Sequence, residues 1–129
     1  MRENKKIIIG SLLFFVVVTF SSAVVAEKGA GKQPNVPFKY AVGKKKYQES
    51  CSVCHGKWLG GSKQGPPLLH GFYKPSHHGD PSFYRAALKG VRAHHWKFGN
   101  MPPISGITRE DMDAIVPFIR WLQKAKGLY

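Results

Sequence analysis

The sequence predicts an all-α domain of three to four short helices joined by long Gly/Pro-rich loops. Three observations lead there. Apolar residues recur at helical spacing in three segments, near residues 38–51, 79–91 and 108–127. No stretch shows the alternating pattern of a half-buried strand, and there are no internal repeats. The 14 glycines and 9 prolines give the intervening segments the composition of loops rather than of further regular elements. Such a chain makes a poor core by itself, and makes better sense if its loops wrap a large apolar object.

The first 26 residues stand apart. Residues 1–6 (MRENKK) are basic, 7–20 (IIIGSLLFFVVVTF) are apolar, and 21–26 (SSAVVA) end in small residues, with Val24 and Ala26 three and one positions before a cut. That is the layout of a secretory signal peptide. The rival is an uncleaved membrane anchor, since the 20 residues 7–26 are long enough to cross a bilayer. Ser11, Thr19, Ser21 and Ser22 weaken that rival. Under either reading the rest of the chain leaves the cytoplasm, and the periplasm is the expected location.

Residues 27–37 (EKGAGKQPNVP) lack periodicity and read as a flexible arm, which leaves 38–129 as the domain. Residues 38–51 (FKYAVGKKKYQESC) place apolar side chains at 38, 41, 42 and 47, as an amphipathic helix would. Residues 55–76 read as loop. In GDPSFYRAALKGV, Asp80 is the expected N-cap and Pro81 the first helical residue. Phe83, Ala87 and Val91, with Tyr84 and Leu88, form its apolar face. Residues 99–107 (GNMPPISGI) are loop again, since Pro102 and Pro103 bar regular structure. The last helix opens on Thr108 with Asp111 three residues on, a capping-box pattern. Ile115, Phe118, Ile119 and Leu122 form its buried stripe, and Lys124, Lys126 and Gly127 mark its end. Pro117 lies inside it, and a kink is expected there.

The chemistry concentrates in CSVCH, residues 51–55, which holds both cysteines of the chain. Three readings compete. A thioredoxin-like disulfide needs a preceding strand, and none is present. A structural zinc site needs four ligands, with His70 as the fourth, and His55 directly behind Cys54 strains the usual knuckle. The motif instead favours covalent attachment of a c-type haem. Cys51 and Cys54, three apart, lie on one side of a helical turn and reach the two vinyl groups on one porphyrin edge. His55 then falls beneath the iron, and the haem supplies the missing core. Met101, in the proline-stiffened loop FGNMPP, is the best candidate for the second axial ligand. His94 and His95 compete with it, and space-filling is its plain alternative.

These segments resemble the class I c-type cytochromes, specifically the small periplasmic monohaem kind of bacteria. The likeness covers most of residues 38–126. It rests on GKKKYQESCSVCH, with Gly43 and Tyr47 at the family's N-helix glycine and aromatic, and on FIRWLQKA, with Phe118 and Trp121 as the C-helix pair crossing them. GPPLLHG matches the Gly-Pro-x-Leu loop, and NMPP the methionine loop, 46 positions after His55. The resemblance implies one haem c bound through Cys51 and Cys54, with iron ligands His55 and Met101. It also implies that the Pro66 carbonyl accepts the proton on His55 and that Leu68 packs on the ring. Pro117 and the five further histidines depart from the pattern.

The implied function is single-electron transfer between respiratory redox proteins, with no catalysis. The alternative is a haem enzyme or tethered oxidase or dehydrogenase subunit with a labile distal ligand, acting on peroxide or a small gas. Residues 27–129 carry 17 Lys and Arg against 6 Asp and Glu, net +11, with no nucleic-acid-binding signature. Lys57 and Lys63 are candidates to steer docking on an acidic oxidase, reductase or dehydrogenase. A monomer with transient membrane association at most is expected. His70, His77, His78, His94 and His95 could hold a second metal, sit exposed in loops, or donate to the haem propionates beside Arg92 and Trp96. Trp58 is expected to pack in the haem pocket.

Overall fold

A computed structural model describes residues 33–129. The proposed leader, residues 1–26, and most of the arm lie outside the described residues. The compact unit spans Pro34–Tyr129, and Val36 already packs against its core. Four α-helices are present among the described residues: α1 (Ala41–Ser50), α2 (Ser52–His55), α3 (Asp80–Lys89) and α4 (Arg109–Ala125). Short 3-10 turns occupy Phe38–Tyr40 and Gly71–Tyr73. The described residues contain no strand, and one isolated antiparallel bridge joins Val91 to Met101. The all-α expectation holds.

The frame is the crossing of α1 on α4. Gly43 makes it possible, because a Cβ there would fall on the carbonyl oxygen of Ala114, 2.8 Å from its carbon and 3.0 Å from Phe118 Cβ. One turn on, Tyr47 is fully buried with its ring 5.6 Å from that of Phe118. Its hydroxyl donates to the Gly56 carbonyl at 2.8 Å, tying α1 to the end of the CSVCH segment. Tyr40 stacks on Trp121 at 5.4 Å. Lys46 pairs with Asp111 at the start of α4. The expected face of α1 is corrected here. Phe38 and Val42 are largely exposed, at 94% and 60%. The buried side is set by Gly43 and Tyr47, one turn apart, and Val42 does not share it.

Helix α4 follows its sequence signals closely. The capping box is complete, with Asp111 N–H donating to Thr108 Oγ1 at 3.1 Å and Thr108 N–H to Asp111 Oδ2 at 3.0 Å. Met112, Ile115, Val116, Phe118, Ile119 and Leu122 are buried. Gly127, at φ +71°, closes the helix as its amide bonds back to Lys124. The helix runs uninterrupted through Pro117, which is exposed, so the unmade bond to the Asp113 carbonyl lies on the solvent side.

Helix α3 differs at both ends from expectation. Gly79 is the N-cap, and Asp80 and Pro81 are the first two helical residues. Asp80 is instead held by Arg120, whose Nε donates to Oδ1 at 2.7 Å. At the far end Gly90 takes φ +79° and stops the helix at Lys89. Val91 therefore leaves the helix and bridges Met101, with N···O distances of 2.8 and 2.9 Å. Gly90 is required twice over, since a Cβ there would also lie 2.6 Å from the Met101 carbonyl oxygen.

Candidate functional site

A cavity of about 360 Å³ opens between the helices and the loops. Its apolar walls come from α3 (Phe83, Ala87) and α4 (Met112, Ile115, Ile119). Cys51, His55, Pro66, Leu68 and Met101 all line it. Segments separated by up to 50 positions thus converge on one space, from Cys51 to Met101.

Each side chain has a local reason for its place. Helix α2 carries Cys54 and His55, and Cys51 is its N-cap. The His55 amide bonds to the Cys51 carbonyl at 3.0 Å, so the motif is one helical turn. His55 Nδ1 lies 2.9 Å from the Pro66 carbonyl oxygen. A carbonyl only accepts, so Nδ1 carries the proton and Nε2 keeps its lone pair. Burial lowers the His55 pKa, opposed by the Pro66 bond, and the ring is neutral. Burial, and then the neighbouring Cys54, pushes the Cys51 thiol up to about 11. Cys54 is exposed and does not line the cavity. It abuts Gly65, where a Cβ would come 3.0 Å from the Cys54 Cβ. The 61–69 loop is anchored by Leu68 N–H and Leu69 N–H, which both donate to the Leu59 carbonyl, at 2.8 and 3.1 Å. Met101 is half-buried and held by its bridge to Val91.

A family model described as cytochrome c matches residues 40–123. The chain belongs to the cytochrome c family. No characterised protein and no solved structure matched it in the same comparisons. Family membership makes this a haem-binding electron-transfer cytochrome, and implies a covalently attached haem c. The two cysteines, Cys51 and Cys54, are consistent with a CxxCH-type site. Members of the family are commonly exported. Among the described residues no helix is long and apolar enough to cross a membrane.

The cytochrome's own residues fit such a group. The cavity is walled largely by apolar side chains, as a porphyrin face requires. Trp96 also lines it, and its Nε1 is buried with no hydrogen-bond partner. Tyr73 lies close by, its pKa raised chiefly by burial, and no hydrogen bond joins it to Trp96. A buried orphan donor beside an apolar cavity suits an anionic substituent on an otherwise apolar ligand. Arg92 lines the same cavity.

One further expectation fails. Trp58 does not line the cavity. It packs on the outer edge of the core, with the Lys44 ammonium 5.1 Å from its ring centre. His70 does not join the cysteines as a zinc ligand. Its ring packs on Phe72 and Trp96, at 4.5 and 4.9 Å, and its Nδ1 accepts from the Phe72 amide. The metal-sized group found among the described residues is instead His77, His78 and His95.

Sequence reasoning missed Arg120 and Gln123. Arg120 donates to Asp80, to the Tyr73 and His78 carbonyls, and to Gln123 Oε1, at 2.6 to 2.8 Å. Gln123 is fully buried, and its Nε2 donates to the Leu68 carbonyl at 2.8 Å. The available signal was a pair of polar residues three apart beside the apolar stripe of α4, at positions where a purely structural helix would place leucine.

Proposed function

We propose that this cytochrome is an exported, periplasmic monohaem carrier that passes single electrons between respiratory redox proteins. The observation that carries the reading is the convergence of Cys51, His55, Pro66, Leu68 and Met101 on one apolar cavity. Cys51 and Cys54 would hold the haem through thioethers, and His55 and Met101 would ligate its iron. When bound, the haem supplies a one-electron iron couple. The Pro66 carbonyl fixes the His55 tautomer and strengthens its donor nitrogen. The Met101 thioether, as a soft ligand, favours the reduced state. Leu68, Ile115 and Ile119 exclude water and so penalise extra charge in the cavity. With both His55 and Met101 engaged in holding the haem iron, a substrate would have no site on it, which supports a carrier over an enzyme.

The exposed Lys57 and Lys63 and the net positive charge support docking on an acidic oxidase, reductase or dehydrogenase. The protein would act as a monomer. Export rests on residues 1–26, and mature protein beginning at Glu27 is the expected product.

The test is a visible spectrum of the purified protein, oxidised and reduced, with its intact mass. The expected result is one added tetrapyrrole and an oxidised-state band characteristic of methionine bound to ferric haem. Met101→Ala removes that band and lowers the potential. A colourless protein of unmodified mass refutes haem attachment. A five-coordinate, high-spin spectrum of the unaltered protein refutes the carrier and selects the haem enzyme.

A further inference from the structure

Four histidines that the haem reading does not use meet at one end of the cavity. His77 and His78 sit in the turn after Gly71–Tyr73, where both amides bond to the Lys74 carbonyl, at 3.0 and 2.9 Å. Arg120 grips the His78 carbonyl at 2.6 Å and fixes that turn to α4. His94 and His95 lie in the loop between Val91 and Met101, closed at its base by their bridge and braced by Asn100 Oδ1, which accepts from the Ala93 amide at 2.9 Å. The His95 ring stacks on Phe72 at 4.2 Å.

Ligand nitrogens of His77, His78 and His95 lie within 4.8 Å of one another. His77 Nε2 and His95 Nε2 are 3.2 Å apart, and His78 Nε2 and His94 Nε2 are 3.4 Å apart. Metal–nitrogen bonds of about 2.0–2.1 Å in tetrahedral geometry hold ligand atoms about 3.3 Å from one another. The 3.2 and 3.4 Å spacings are each those of a ligand pair on an ion, and the 4.8 Å limit gathers His78 with His77 and His95 into one group.

The proton positions sharpen this. His78 Nδ1 contacts the Phe72 carbonyl at 2.5 Å, and His94 Nδ1 contacts the Arg92 carbonyl at 2.8 Å. Carbonyls only accept, so in the neutral rings both protons sit on Nδ1. The two Nε2 atoms then face each other with bare lone pairs and no hydrogen bond is possible between them. Bare nitrogens cannot donate to a haem propionate either. They can ligate, and a backbone carbonyl on the far nitrogen is the usual support of a metal-bound imidazole.

We propose that His77, His78 and His95 form a second metal site, with His94 at its edge, for a late first-row transition-metal ion. Imidazole donors suit copper and zinc, and copper(II) binds the more tightly of the two by the general order of affinities. Imidazole ligates as a neutral donor, so the ion would keep its charge, and with three such ligands a position would be left for an anion or water. His78, His94 and His95 also line the cavity, which puts the site on its rim.

The test uses the haem-loaded protein, stripped of adventitious metal by a chelator and titrated with copper(II) chloride and, separately, zinc(II) chloride. Calorimetry and metal analysis after desalting give the stoichiometry. Absorption at the copper or zinc edge reads the ligands without interference from iron. One equivalent per chain is expected, with three to four imidazole nitrogens at about 2.0 Å. His77→Ala and His95→Ala each weaken binding at least tenfold, and His70→Ala leaves it unchanged. His77 is exposed, so His77→Ala keeps the test valid should His95→Ala fail to fold. No equimolar binding by the unaltered protein overturns the proposal, as does undiminished affinity in His77→Ala.

Discussion

Gly43→Ala sets two physical effects against each other. Alanine is about 1 kcal/mol better than glycine inside a helix, so in an uncrowded helix the substitution would stabilise. At this site the new methyl would fall on the Ala114 carbonyl and lie 2.8 Å from the carbonyl carbon. Overpacking a close-packed site costs about 1–3 kcal/mol. The upper end applies, because backbone atoms of α4 cannot rotate aside as a side chain would. The net expectation is a loss of about 2 kcal/mol, or about 8–16 °C in Tm for a domain of this size. The assay is thermal and urea unfolding of haem-loaded protein, followed by far-ultraviolet circular dichroism. Lys45→Ala, at an exposed position two residues along the same helix, is the control for propensity, its one other loss being the exposed pair with Glu49 at 3.9 Å. Ala114→Gly in the Gly43→Ala background should not restore stability, since the obstruction is a carbonyl and not the Ala114 methyl. A Gly43→Ala protein as stable as the original, or a rescue by Ala114→Gly, would refute the close crossing of α1 on α4.

Arg120→Met keeps the stem but leaves the His78 carbonyl and Asp80 without their donor and the Tyr73 carbonyl with only the 3.4 Å contact from Gln123. About 2–4 kcal/mol of stability should be lost on urea unfolding, and an unchanged midpoint would deny the hub. Lys46 depresses the Asp111 pKa, helped by the Thr108 amide, while Asp111 raises that of Lys46. The Asp111 contribution to stability is therefore present above the ordinary carboxylate pKa, about 4, and lost as pH falls through the depressed folded value. The Lys46 contribution is full below the ordinary lysine pKa and lost as pH rises through its raised value. Asp111→Asn should flatten both limbs of the stability–pH curve, and an unaltered curve would show the pair to be inert. Trp96→Phe removes the orphan donor beside the cavity. Redox titration should show a lower potential with an unchanged axial-ligand spectrum, and an unshifted potential would remove Trp96 from the site.

What the sequence revealed and what it hid follow one division. Features written in local order were legible. The capping box at Thr108 and Asp111, the buried stripe of α4, and the one-turn spacing of Cys51, Cys54 and His55 each depend on residues within four positions. The meeting of His55 with the Pro66 carbonyl was legible through resemblance, since no local rule places a loop carbonyl beside a ring eleven positions away. The failures lie where a distant partner decides. Val42 and Phe38 are apolar at plausible helical positions, yet the face of α1 is chosen by where Gly43 meets Ala114. Asp80 resembles an N-cap, and Arg120, forty positions later, takes its carboxylate instead. The five extra histidines carried no pattern that could sort them. Only the turn at 77–78 and the loop at 94–95, brought together in space, separate four of them from His70.

The loops of this cytochrome are fixed mainly through their backbones, and that decides which substitutions it tolerates. Gln123 and Arg120 reach from α4 to the carbonyls of Leu68, Tyr73 and His78. From α3, the Ala87 carbonyl accepts the Ile104 amide at 2.9 Å, just beyond the methionine loop. The His55 side of the cavity and the Met101 side are thus each tethered to a helix by hydrogen bonds to main-chain atoms. A loop carbonyl accepts such a bond whatever side chain its residue carries. Side chains in the loops are accordingly free to specialise, as the histidines have, without loosening the cavity. The donors on α4 have no such freedom. A leucine at 123 would fill the space, yet would strand a buried Leu68 carbonyl in the loop whose Pro66 carbonyl supports His55. Stability and ligand placement therefore fail together at Arg120 and Gln123, whereas at exposed His77 metal affinity is lost and the fold is kept.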